Sequence, residues 1–250
     1  MVAPPPGESP EESGGSSQRP LRSRPLNQGD AGARPIAAAS ASAYGSTAER
    51  YAAAIGTTLS ADVETPDDLD LLDRFVADAA TGARALDAGC GTGRVARLLA
   101  DRGLTTTGVD VAAGMVEIAR REHPDVSFAI GDLAALPLAT HSVDVAVAWY
   151  SIITTPPDRL GGTCRQFARV LREGGRVLFA FPSGDGSGDH RDDAFGSGTA
   201  LTLYRHAVAT VSSELEQAGF HLAGSVERPP QRAHEDAPQA IVEAHVTRLP

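Results

Sequence analysis

The sequence predicts an α/β domain built on a parallel sheet with helices on both faces. Three observations predict it. From Tyr44 onward, stretches patterned as strands and as helices alternate. One of them, "SVDVAVAWYSI", is a continuous apolar run, as expected of a central parallel strand covered on both sides. A third, "ALDAGCGTGRVARLLA" (residues 85–100), sets three glycines at alternate positions between a strand and a helix. Such a turn lets backbone N–H groups approach a ligand closely.

The elements follow in order. Residues 1–43 are rich in Pro, Gly, Ser and Ala and poor in large apolar side chains, so a disordered tail is expected there and a folded domain over 44–250. In "TPDDLDLLDRFVADAATG", Thr65 is placed to cap a helix, Pro66 to open it and Gly82 to stop it. Leu69, Leu72, Phe75, Val76 and Ala79 give that helix one apolar face. "RALDAG" reads as a strand, "GRVARLLADRG" as a helix and "TTTGVDV" as a second strand. "AGMVEIARREHP" is a helix ending near Pro124, and "VSFAIGD" is a third strand. After the central apolar strand comes a helix capped by Thr155, with Leu160, Cys164, Phe167 and Leu171 inward. "GRVLFAF" is a fifth strand and "HAVATVSSELEQAGF" a helix. Two closing strands lie near residues 220–227 and 240–248.

Composition narrows the function. The chain of 250 residues has a net charge of -10, and its 22 basic residues are all arginine, which excludes lysine Schiff-base chemistry. The charges before Tyr44 cancel, so the folded part carries the acidic excess and nucleic acid is not an expected partner. Two cysteines, Cys90 and Cys164, have no metal-ligand spacing and read as reduced thiols; no metal is expected. No stretch approaches the ~20 apolar residues of a membrane span. A cytoplasmic protein without a membrane partner, monomer or homodimer, is the expectation.

The glycine turn discriminates between ligands. A dinucleotide fingerprint reads G-x-G-x-x-G/A, followed about twenty residues on by an acid for the ribose. Here Gly89, Gly91 and Gly93 read G-x-G-x-G, and Arg94 stands where the third glycine of that fingerprint belongs. Asp87 ends the strand before the turn, an acid that suits a cationic ligand better than a pyrophosphate. Asp110, closing "TTTGVD", suits a ribose.

On these residues the chain resembles the class I S-adenosylmethionine-dependent methyltransferases, of the actinobacterial small-molecule type. "LDAGCGTG" resembles the first motif and "TGVDVAAGMVEIAR" the second. "GDLAALPLATHSVDVAVAWYSIITTPP" resembles the third and fourth, and "LREGGRVLFAF" the last. "YGSTAERYA" resembles a helix laid over the cofactor. The resemblance implies a doubly wound, Rossmann-like seven-stranded sheet of order 3-2-1-4-5-7-6, with S-adenosyl-L-methionine as cofactor and a small molecule as methyl acceptor. It implies Asp87 near the methionine amino group beside Gly89, Gly91 and Gly93, and Asp110 on the ribose. Val111 and Met115 would pack against adenine, Asp132 and Leu133 would meet its amino edge, and Trp149 and Tyr150 would stand where cofactor meets acceptor. The plainer readings are a turn cap for Asp132 and core packing for Met115 and Trp149. Asp144 is expected to anchor a turn.

Methyl transfer from a sulfonium is an in-line displacement with a neutral leaving group, so alignment supplies much of the acceleration and a base is not obligatory. Relatives in the family read "WYSLIHTPP" where this chain has "WYSIITTPP", so Thr154 replaces a histidine. The remaining candidates are Tyr150 and two histidines flanking "GDGSGDHRDDAFGSGTALTLYRH", His190 and His206, which read as solvated loop residues. The alternatives are a non-catalytic S-adenosylmethionine-binding module and an NAD-type oxidoreductase.

Overall fold

The computed structural model describes residues 33–247. A long helix, α1 (Ala33–Ile55), precedes α2 (Pro66–Ala77), β1 (Arg84–Ala88), α3 (Arg94–Asp101), β2 (Thr105–Asp110), α4 (Ala113–Glu122) and β3 (Ser127–Ile130). Then come β4 (Val143–Trp149), α5 (Leu160–Val170), β5 (Leu171–Pro182), β6 (Gly188–Arg191), β7 (Leu201–Tyr204), α6 (Val208–Gln217), β8 (Phe220–Arg228) and β9 (Gln239–Val246).

Seven strands form one sheet of order β3-β2-β1-β4-β5-β9-β8. The first five pair in parallel, and β9 runs antiparallel to both β5 and β8. With the separate β6–β7 hairpin set aside, this is the 3-2-1-4-5-7-6 order the resemblance implies. One sheet face is covered by α2 and α3 through Leu72, Phe75, Val95 and Leu99, and α4 joins α3 through Ala96, Val116 and Ala119. The other face carries α5 and α6, where Phe167 packs on Phe179 with Leu160, Cys164, Val211 and Leu215 around them. Strand direction reverses its spatial progression between β1 and β4, so a crevice opens at their carboxyl ends.

Local signals act as expected in several places. The Thr65 hydroxyl accepts from the Asp68 amide at 3.2 Å and caps α2. Asp144 accepts from the Arg84 amide and from Arg172, each at 2.8 Å, tying the starts of β1 and β4 to the start of β5.

Four readings change. Helix α2 ends at Ala77; Gly82 instead forms the turn into β1, with φ 79° and its N–H on Gly103. A 3-10 turn at Pro157–Arg159 precedes α5, so Thr155 does not cap that helix. The supposed loop after β5 contains the β6–β7 hairpin, paired from Gly188↔Tyr204 to Arg191↔Leu201. Finally, residues 33–43 are helical, not disordered; residues 1–32 lie outside the described residues. Small side chains, together with Tyr44 and Tyr51, anchor α1. Ala43 is buried against Ala194 and Leu201 of the hairpin region, and Ser42 bonds Thr199 at 2.8 Å. Gly45 crosses Gly114 of α4 so closely that a Cβ on Gly114 would lie 2.5 Å from the Gly45 carbonyl oxygen.

Candidate active site

A cavity of about 560 Å³ occupies the crevice at the carboxyl ends of β1, β2 and β4. Helix α1 roofs it with Tyr44, Tyr51 and Ile55, and the hairpin adds Phe195, whose ring lies 5.1 Å from that of Tyr44. Arg50 fastens this roof by donating to the Phe195 and Gly196 carbonyls at 2.7 and 3.1 Å.

One end of the cavity gathers Gly89, Gly91, Asp110, Val111, Met115, Asp132, Leu133 and Trp149. The turn exists because glycine tolerates left-handed backbone. Gly89 (φ 74°) donates to the Val109 carbonyl at 2.7 Å, and a Cβ on it would strike Ser151. Gly91 (φ 51°) donates to Asp110 Oδ2 at 2.8 Å, and a Cβ there would meet no protein atom within 4 Å. It would stand in the space a ligand needs. Asp110 Oδ1 accepts from the Ala112 amide at 2.8 Å, yet burial still raises its carboxyl above the usual range. Asp132 Oδ1 accepts from the Ala134 amide at 2.9 Å, so it organises its own turn at the cavity wall. Met115 and Trp149 are buried in the core and still line the cavity, so the packing and contact readings are compatible.

Asp87 and Gly93 are not in the cavity wall. Strand side chains alternate in direction, and Asp87 shares its face of β1 with Ala85, toward α3. There it is 1% exposed and accepts from the Ala96 amide at 2.8 Å. Burial pushes its carboxyl up to about 7, with nearby Asp110 adding and the Ala96 bond opposing. Gly93 (φ 86°) begins α3 beneath His123 and Phe128, where a Cβ would clash with both rings. Its glycine serves packing.

The candidates for proton chemistry separate as well. Tyr150 lines the cavity with left-handed backbone (φ 54°), unusual for a bulky side chain, held by its N–H on the Ala180 carbonyl at 2.8 Å. Burial raises its hydroxyl above the usual range, with Asp68 nearby adding to the effect, so it stays protonated. His206 is fully buried, contrary to the solvated reading, and lies outside the cavity wall. Burial lowers its pKa, which keeps the ring neutral, and its Nε2 lies 3.1 Å from the Ile152 carbonyl. A carbonyl only accepts, so Nε2 carries the proton. His190 is exposed, 3.0 Å from Thr202 Oγ1, and lines a shallow pocket of about 220 Å³ beside Thr154.

The sequence reading missed the charged groups of the cavity wall. Glu64, Asp68, Arg94 and Glu235 all line the cavity. Arg94 pairs with Glu64, and both side chains are almost fully buried. Arg228 pairs with Asp68 at 2.5 Å and Glu235 at 2.6 Å. Burial opposes the ionisation of Glu235, but Arg228 and the amides of Gln231 and Arg232 hold its carboxyl down at about 2. These partners lie 30 and 160 residues apart for Arg94–Glu64 and Arg228–Asp68, so no local pattern announces them. Farther out, Asp236 faces Arg205 and Asp158 faces Arg159. Arg165 stands exposed at the rim. Among the described residues no three His, Cys, Asp or Glu side chains converge as a metal set, and no helix is long and apolar enough to cross a membrane.

Comparison with known proteins agrees with this geometry. A family profile described as "Methyltransferase domain" matches residues 85–175. The malonyl-[acyl-carrier protein] O-methyltransferase of Serratia marcescens is 33% identical over 99 residues, 40% of this chain and 38% of that protein. The demethylmenaquinone methyltransferase of Renibacterium salmoninarum is 31% identical over 168 residues, 64% of this chain and 66% of the relative. The match thus spans less than two thirds of either relative. Among solved structures, an S-adenosylmethionine-dependent methyltransferase of Methanosarcina mazei has a TM-score of 0.63 at 15% identity, over 72% of this chain and 98% of that one. That likeness concerns the fold.

Proposed function

Because the chain belongs to the class I S-adenosylmethionine-dependent methyltransferases, we propose that it transfers a methyl group from that cofactor to a small, neutral, largely apolar acceptor. S-adenosyl-L-methionine supplies a methyl group on a cationic sulfur with a neutral thioether as leaving group. The observation that carries the reading is the two-ended cavity. One end presents the open Gly91 backbone and the Asp110 and Asp132 carboxylates beside Val111, Met115 and Leu133, groups suited to a ribose and an adenine. The whole cavity, about 560 Å³, lies in the range of sites that enclose small-molecule ligands.

The other end supports a neutral acceptor. Asp68 and Glu235 share Arg228, Asp158 faces Arg159 and Asp236 faces Arg205, so these four carboxylates meet three guanidiniums and leave a small negative excess that disfavours an anionic guest. Arg165 stands at the exposed rim, where solvent screens it. Of the two acceptor chemistries that the relatives' names suggest, a quinol fits this wall better than a malonyl carboxylate. The protonated Tyr150 hydroxyl faces the cavity without a hydrogen-bond partner among the described residues. It is suited to donate a hydrogen bond to an acceptor oxygen and so orient the acceptor's reacting atom toward the methyl. Among the described residues no cavity group is poised as a strong base, so positioning carries the displacement, and the proton that the methylated acceptor sheds passes to water.

The test is incubation of the full chain with methyl-labelled cofactor and a panel of hydroquinones, naphthoquinols and malonyl thioesters, read by mass spectrometry. Label in a quinol is expected. Label only in the malonyl thioester would overturn the neutral-acceptor reading.

A further inference from the structure

Resting on the cofactor reading above, one question stays open: what receives the amino-acid end of S-adenosylmethionine. That end is a zwitterion, an ammonium and a carboxylate on one carbon. Asp87, the acid the resemblance nominates, is turned away and occupied by the Ala96 amide. We propose that Arg94 and Glu64 form the site that reads this zwitterion, the guanidinium taking the carboxylate and the Glu64 carboxylate taking the ammonium.

Four observations carry the assignment. Both residues line the same cavity as Gly89 and Gly91. They already form an ion pair, so one cation and one anion stand side by side, as the two charges of an α-amino acid do. Their other bonds hold them in place without using up their capacity. Arg94 Nε donates to the Thr58 carbonyl at 3.3 Å, and the Tyr51 hydroxyl of the roof is hydrogen-bonded to the same guanidinium. A guanidinium has five N–H groups, and these contacts leave donors for a ligand carboxylate. Glu64 Oε2 accepts from the Ser60 amide at 3.1 Å, and its backbone carbonyl from Arg232 at 2.5 Å. Lone pairs remain on both of its carboxylate oxygens.

The fourth is energetic. Burying an ion pair costs desolvation that its own attraction often fails to recover, so such a pair is weak as a stabilising device. Its placement against a cavity gives it another use, because a bound zwitterion supplies each ion with a second opposite charge in a water-poor site. The alternative is a strut. The segment of residues 56–64 is tied to the start of α3 by the Thr92 hydroxyl on the Gly56 carbonyl at 2.9 Å, as well as by Arg94. A strut and a ligand site make different demands on ligand structure.

The experiment is calorimetric titration of the full chain with S-adenosylhomocysteine and with 5′-methylthioadenosine. Both are adenosine thioethers; only the first carries the amino-acid end. The wild-type protein is expected to prefer S-adenosylhomocysteine. Arg94→Gln is expected to weaken that ligand about 10- to 100-fold, the range for hydrogen bonds to charged groups, and to change 5′-methylthioadenosine by less than about 3-fold. Glu64→Gln, which keeps an oxygen for the Ser60 amide, should act the same way from the ammonium side. Equal weakening of both ligands would overturn the proposal in favour of the strut. A wild-type protein with no preference overturns it without any variant, so a misfolded variant does not protect it. A wild-type protein that binds neither compound refutes the cofactor reading itself.

Discussion

Replacing Asp87 with asparagine separates the family-derived role of this acid from the one its surroundings give it. The carboxyl is 1% exposed, and burial pushes it up to about 7, against 3.8 for an unperturbed aspartate. A carboxyl whose pKa is higher folded than unfolded keeps its proton longer in the folded state. Its contribution to stability is therefore full below about pH 4 and is lost as pH rises to about 7. At 1.36 kcal/mol per pKa unit the whole effect is about 4 kcal/mol, and the part falling between pH 5 and pH 8 is about 2–3 kcal/mol. Asp87→Asn removes the titration and keeps an oxygen for the Ala96 amide. Its side-chain NH2 adds a pH-independent cost, so the slope, not the absolute value, is the readout. Urea unfolding at pH 5, 6, 7 and 8 should show the wild-type protein losing about 2–3 kcal/mol more than the variant over that range. Cofactor affinity of the variant should stay within about 3-fold. An unchanged pH slope would refute the burial argument, and a tenfold loss of affinity would return Asp87 to the cofactor.

The other predictions concern the cavity and its roof. Asp110→Ala should weaken S-adenosylmethionine binding by about 1–3 kcal/mol in a titration, since it removes a charged acceptor and frees the Gly91 and Ala112 amides. Gly114→Ala puts a Cβ 2.5 Å from the Gly45 oxygen, so α1 must move off α4 at a cost of about 1–3 kcal/mol; faster amide exchange in residues 40–52 would report it. Removing residues 1–43 should weaken cofactor binding as well, because it deletes the Ser42–Thr199 bond and the buried Ala43 contact. Tyr150→Phe should leave cofactor affinity within about 2-fold and lower turnover of a labelled acceptor about tenfold, the value of one hydrogen bond.

What the sequence made legible was local. The Thr65 cap, the strand–glycine–helix turn at Gly89 and Gly91, and Asp110 at the end of β2 depend on neighbours a few residues away, and they stand where the pattern puts them. The sheet order came from resemblance, since alternation alone leaves strand order open. What stayed hidden depends on distance or direction. Asp87 has the right spacing, but alternation along β1 turns it to α3. Helix α1 sits close to α4 and the hairpin through alanine and glycine, a stabilisation invisible to a search for large apolar faces. The hairpin has only four paired residues per strand, set among glycines and aspartates. The charged wall joins Asp68 to Arg228 across the length of the domain.

The most direct measurement is a calorimetric titration of the full chain with S-adenosylmethionine, repeated with NAD. Saturable binding of S-adenosylmethionine, displaced by S-adenosylhomocysteine, with no heat from NAD, is the predicted result. Binding of NAD with none of S-adenosylmethionine would contradict the account at its centre.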